Sequence, residues 1–175
     1  MPARRTHALA SCALAGAVAC AGPVGPAPVA PAVHGAAAVA PAAAPAPAMA
    51  FAERAAVVRA AESMLGVRYR HGGRTPGGID CSGLVVYSYA RAGLKGLPRS
   101  ASDLERVASP VRLADLRPGD LLFFRLDGRK TSHVAIYVGD RSFVHAPSRG
   151  RRVERIDFDH VYWGPRLARA GSLLD

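Results

Sequence analysis

Every acidic residue of this 175-residue chain lies from Glu53 onward; the first 50 residues hold none of its 13 Asp and Glu. No other feature limits the fold as much. Those 50 residues are mostly Ala, Pro, Val and Gly. Frequent proline removes backbone donors and breaks helix and sheet alike, so the stretch supplies no packed core. Whatever folds is built from residues 51–175, about 125 residues, which suits one domain with one core.

Residues 1–20 read as an export signal. Arg4 and Arg5 give a positive start, and "ALASCALAGAVA" (8–19) is an apolar run too short to span a bilayer. "AVAC" (17–20) resembles the lipobox of bacterial lipoproteins, which marks Cys20 for lipidation. "LASC" (9–12) leaves almost no apolar run before Cys12. Simple secretion, with cleavage at an Ala-rich site further on, is the alternative. Residues 21–50 then form an Ala/Pro-rich disordered linker, a semi-extended tether.

Cys81 is the one cysteine left for the domain, so an internal disulfide is excluded. Two of the 23 Lys and Arg lie in the leader, leaving 21 against 13 acids in the domain, a net charge of +8. That balance suits an anionic setting such as a membrane surface or a wall polymer, or else a merely solvated basic surface. The export signal argues against nucleic acid, and no basic run alternates with aromatics.

Hydrophobic spacing predicts a helix over 51–66, with apolar residues at 51, 55, 58, 61 and 65 and Gly66 ending it. Residues 67–78 read as a Gly- and Pro-containing loop. A second helix runs over 80–93, capped by Asp80 and ended by Gly93. A third covers 100–109, with Ser100 as cap and Asp103 completing a capping box. The period then changes. Residues 119–126, 133–139, 142–147 and 151–158 are short, rich in β-branched and aromatic residues, and separated by turn residues. Helices followed by an antiparallel meander predict an α+β domain, with the N-terminal helices packed on the sheet.

Cys81 falls in the first turn of the second helix. Unpaired N–H groups and the helix dipole there favour a thiolate and can hold an oxyanion. A cysteine nucleophile also needs a base. His133 opens one predicted strand and His145 lies in the next, so a hairpin between them brings both toward one end. One imidazole can then serve the thiol while the other orients it. His71 and His160 have no clear partner. Taken alone, this spacing fits a small buried cysteine better than a nucleophile.

Ordered strings add to the reading. They are "YRHGGRTPGGIDCSGLVVYSYARAG" (69–93), "LPRSASDL" (97–104), "LRPGDLLFF" (116–124), "SHVAIYVGDRSFVHAP" (132–147) and "YWGPRLARA" (162–170). Together they resemble the NlpC/P60 family of bacterial cell-wall cysteine peptidases, over nearly all of residues 62–170. The resemblance implies a papain-like fold for a catalytic domain at 51–175. It implies hydrolysis of an amide bond in peptidoglycan stem peptides or crosslinks. By matched position, Cys81 is the nucleophile, His133 the base and His145 the residue that orients it. Tyr69 is implied to face the site and help hold the oxyanion, while Asp80 and Ser82 match positions that contact substrate. Arg99 and Ser100 are read as shaping the cleft or capping a helix. His71 departs from the family, which often has an aromatic residue there, and this bears on substrate preference.

The expectation is an exported, periplasmic peptidoglycan endopeptidase, anchored through lipid on Cys20 and monomeric, with no metal or cofactor. Amidase or acyl-transfer chemistry on the same fold, and a non-catalytic wall-binding module, are the alternatives.

Overall fold

The computed structural model describes Gly25 and residues 46–174, with side chains from Phe51 onward. The expected signal segment, its cysteines Cys12 and Cys20, and nearly all of the expected linker lie outside the described residues. The elements below belong to the compact unit Pro41–Asp175.

Helix α1 spans Ala46–Glu62, starting and ending earlier than its apolar spacing predicts. Its last turn tightens, Met64 bonding back to Ala61 and Leu65 to Glu62, and Gly66 leaves it at φ 80°. The buried stripe also differs from the expected one. Val57, Ala61 and Met64 are buried, whereas Phe51 and Leu65 are exposed. Arg54 belongs to that buried face, which is why apolar spacing misplaces it.

The chain continues through a small hairpin, β1 (Arg74–Thr75) and β2 (Gly78–Ile79), where the sequence suggests only loop. Helix α2 covers Cys81–Arg91 and α3 covers Ala101–Val107. Ser100 caps α3 through the Asp103 N–H at 3.1 Å. The Asp103 carboxylate turns to Arg106 rather than completing a capping box.

Six strands make the main sheet: β3 (Ser109–Val111), β4 (Leu121–Phe124), β5 (His133–Gly139), β6 (Ser142–His145), β7 (Glu154–Asp157) and β8 (Leu167–Ser172). They pair antiparallel in the order β3-β8-β4-β5-β6-β7. β4 to β7 are the expected meander. β3 and β8 are not evident from hydrophobic pattern: "SPV" is exposed and proline-bearing, and "LARAGS" is mostly small or polar. The β5–β6 turn places Asp140 and Arg141 at φ 49° and 52°, the primed geometry that fits strand twist.

All four residues of β4 are buried, because both faces of the sheet are covered. Leu121, Phe123, Val134, Ile136 and Val144 meet α1, the turn that follows it and α2 through Val57, Met64, Leu84 and Tyr89. Leu122, Phe124, Ala135 and Phe143 pack beneath Trp163 on the other face. Burying each large side chain here contributes roughly 1.5–3 kcal/mol.

The "PGDL" string pins these layers together. Arg54 Nη1 bonds Asp120 Oδ1 at 2.7 Å and Arg54 Nη2 bonds Ser172 Oγ at 2.9 Å. One buried ion pair thus joins α1 to the start of β4 and to β8. From α2, the Tyr89 hydroxyl donates to the Gly119 carbonyl.

Candidate active site

Asp80 sets up the turn that carries the thiol. Its Oδ1 accepts the Gly83 N–H at 2.6 Å and its Oδ2 accepts the Gly72 N–H at 2.7 Å. The first bond caps α2, and the second folds the glycine loop over the cap. That loop approaches so closely that a Cβ on Gly83 would stand 2.0 Å from the Gly73 carbonyl oxygen. Only glycine fits there. Arg99 Nη2 lies 3.4 Å from both Asp80 oxygens and balances the buried carboxylate. Ser82, also buried, donates to the Arg99 carbonyl at 2.7 Å. Asp80 and Ser82 therefore stand beside the thiol with their polar atoms engaged internally.

Cys81 follows as the first residue of α2, half-buried, and is the free cysteine of the described residues. Burial pushes its thiol above the ordinary value. Backbone N–H groups of Val134, Ser82 and Cys81 itself oppose that, and the Asp80 charge adds to it. Burial wins over the helix-terminal effect, so the resting group is a thiol. The Val134 contact sets the sulfur against the start of β5, one residue from His133.

Tyr69 is held by a bridge to Ile79, next to the cap of α2. Its phenol is raised first by burial, then by Cys81 and Asp80, and lowered by Arg149. Its ring packs against the same core cluster as Cys81.

The β5–β6 register pairs Ile136 with Val144, so His133 and His145 lie diagonally on one face. His133 Nε2 and His145 Nδ1 are 2.9 Å apart. Both side chains are almost fully buried. Trp163 covers them, its ring centroid 4.9 Å from His133 and 4.5 Å from His145. Burial pushes His133 down to about 3. Burial, then His133, Arg151 and His160, pushes His145 down to about 2. Both imidazoles are neutral at neutral pH. Among the described residues, no hydrogen bond joins the thiol to either imidazole.

The site thus gathers Cys81, Tyr69, Asp80 and Ser82 at the head of α2, with the histidine pair carried by the adjoining strands. His71 is exposed in the loop, and His160 is exposed beyond β7. Sequence reading missed the covering role of Trp163, although a lone tryptophan in the chain was a signal. It also missed the reach of Arg99 to Asp80. Among the described residues no group of three His, Cys, Asp or Glu side chains is placed to hold a metal ion.

The sequence pattern of the NlpC/P60 family matches residues 66–172. A probable endopeptidase of Mycobacterium tuberculosis is 44% identical over 107 residues, which are 61% of this chain and 27% of that protein. The murein DD-endopeptidase MepH of Escherichia coli is 40% identical over 103 residues, 57% of this chain and 38% of the relative. The chain thus spans well under half the length of these relatives. The crystal structure of an NlpC/P60 family protein from Bacillus cereus superposes with a TM-score of 0.66 at 31% identity, covering 70% of this chain and 40% of that one.

Proposed function

Because this chain belongs to the NlpC/P60 family, we propose that it is a peptidoglycan endopeptidase with Cys81 as nucleophile, His133 as base and His145 as the residue that orients it. The observation that carries the reading is the 2.9 Å contact between His133 Nε2 and His145 Nδ1, beside the strand start that receives the Cys81 sulfur. The endopeptidase names of the relatives point the same way.

With Nε2 engaged by His145, Nδ1 is the His133 nitrogen left to take a proton. The resting pair is a neutral thiol and a neutral imidazole. The thiol proton passes to His133 as sulfur attacks a stem-peptide carbonyl. Contacts that are long in the free protein tighten when substrate closes the site. N–H groups at the head of α2, with the Tyr69 hydroxyl, hold the oxyanion. Imidazolium His133 returns the proton to the leaving amine, and the C–N bond breaks. Water, deprotonated by His133, then releases the acyl group and restores the thiol. Asp80 and Ser82 border the substrate and keep the thiol-bearing turn in place. No step calls on a metal or cofactor.

Export and lipidation at Cys20 belong to the same proposal, as do action on the wall as a periplasmic, membrane-anchored monomer and the 51–175 domain boundary. The leader sequence supports export and lipidation, and the Ala/Pro composition that follows it supports the domain boundary. Among the described residues no helix is long and apolar enough to cross a membrane.

The test is digestion of purified peptidoglycan by the full chain and by Cys81→Ala, read by liquid chromatography and mass spectrometry. New fragments, each pair heavier than its parent by one water, are expected with the native chain and absent with the variant. Fragments that persist with Cys81→Ala overturn the cysteine mechanism. Binding without fragments on walls of several chemistries overturns the enzyme.

A further inference from the structure

One buried nitrogen near the histidine pair lacks a hydrogen bond. His145 Nε2 is shielded from water and meets no hydrogen-bond partner. Glu154 Oε1 stands 3.5 Å away. The contact is set by the sheet, because β6 and β7 pair His145 directly with Glu154. Arg151 Nη2 lies 3.0 Å from both Glu154 oxygens, so the carboxylate sits between a guanidinium and the buried ring.

We propose that Glu154 is a positioning residue that selects the hydrogen placement on His145 and, through it, the one on His133. The proposal rests on His133 being the base. One hydrogen lies between His133 Nε2 and His145 Nδ1, and two neutral arrangements can supply it. In the first, His133 carries hydrogen on Nε2 and donates to His145 Nδ1. His145 then carries its hydrogen on Nε2, pointing at Glu154, and His133 Nδ1 keeps a lone pair for the thiol proton. In the second, His145 donates from Nδ1. Its Nε2 lone pair then faces a carboxylate, and His133 Nδ1 is already protonated and cannot act as base. An anion at Glu154 favours the first arrangement and opposes the second.

The other groups facing His145 point to the same role. His133, Arg151 and His160 all disfavour a charged imidazole. Glu154 therefore orients a neutral ring and does not charge it. The contact stands just beyond hydrogen-bond reach in the free protein and shortens when His133 takes the thiol proton.

Glu154 also lines a cavity of about 400 Å³ with Leu126, Arg151 and Trp163, so a small carboxylate has access to its place. The experiment uses the full chain labelled with ¹⁵N-histidine. In native protein, His145 and His133 are both expected to show hydrogen on Nε2. Glu154→Ala is expected to populate hydrogen on His145 Nδ1 and to lower kcat about tenfold with KM unchanged, that factor being one 1.4 kcal/mol step. Glu154→Gln, which keeps an acceptor oxygen, is expected to recover most of the loss, and added formate part of it in the Ala variant.

Hydrogen on His145 Nδ1 in the native protein overturns the proposal, as does Glu154→Ala with unchanged spectrum and kcat. Should Glu154→Ala fail to fold, the native spectrum together with Glu154→Gln decides. Activity that survives in Cys81→Ala would instead overturn the cysteine reading. The nitrogen spectra report on Glu154 independently of turnover.

Discussion

Arg99, in the loop before α3, contacts both oxygens of the carboxylate at Asp80 that caps the thiol-bearing helix. The same carboxylate holds the Gly72 and Gly83 N–H groups. Asp80→Ala removes a helix cap and strands a loop N–H. It is expected to cost about 1–2 kcal/mol in urea unfolding. Arg99→Ala should cost less, since that side chain is 31% exposed and its pair is screened. Equal losses from the two variants would contradict this ordering.

Asp120 is fully buried and paired with Arg54. Asp120→Ala removes the buried carboxylate that Arg54 bonds at 2.7 Å and is expected to destabilise by about 3–5 kcal/mol. Replacing both partners, Arg54→Met with Asp120→Leu, should recover most of that loss. Chemical denaturation of the two variants checks the difference. A double variant as unstable as Asp120→Ala would show that other bonds to this pair dominate.

The thiol of Cys81 is raised by burial above its ordinary value of 9.0. Alkylation by iodoacetamide, followed on the Cys81 peptide by mass spectrometry, should therefore keep accelerating beyond pH 9.0. Asp80→Asn removes a negative neighbour and should shift the curve to lower pH. A native rate that levels off at neutral pH would mean a resting thiolate and contradict the neutral pair.

The two imidazoles set an acid limit on stability. Both are pushed well below 6.5 in the folded chain. Below about pH 6.5 the unfolded chain binds protons there that the folded chain refuses. The full stability is present above 6.5 and is lost as pH falls toward about 3. The slope approaches about 1.4 kcal/mol per pH unit for each imidazole. Urea midpoints from pH 7 to 4 measure it, and His145→Gln should remove about half of the slope.

Trp163 is the chain's single tryptophan and lies against both imidazoles. A neutral pair should leave its fluorescence flat as pH passes through 6.5, the ordinary imidazole value. A quench centred there would show that the rings protonate and that the cover admits water.

Much of this arrangement is legible in the sequence because it is local. Asp80, Cys81 and Gly83 announce a capped helix start, and the apolar strands around 133 and 145 announce a hairpin. The features that stay hidden are long-range. Arg54 hides in the buried stripe of α1 because its partner, Asp120, lies on a distant strand. β8 hides because "LARAGS" has no apolar alternation, and pairing on both sides replaces it. Trp163 and Glu154 reach the histidines only after the chain has turned back past β6. The thiol shows the same limit. A helix start suggests a low value, but burial, which sequence does not show, reverses it.

The sulfur and its proposed base belong to separate layers, one opening a helix and the other opening a strand in the sheet. They meet only when α2 docks on β5. Before that, the chain carries an ordinary thiol and two ordinary imidazoles. The displaced acidity of all three groups is therefore a property of the closed core, and it disappears when the core opens.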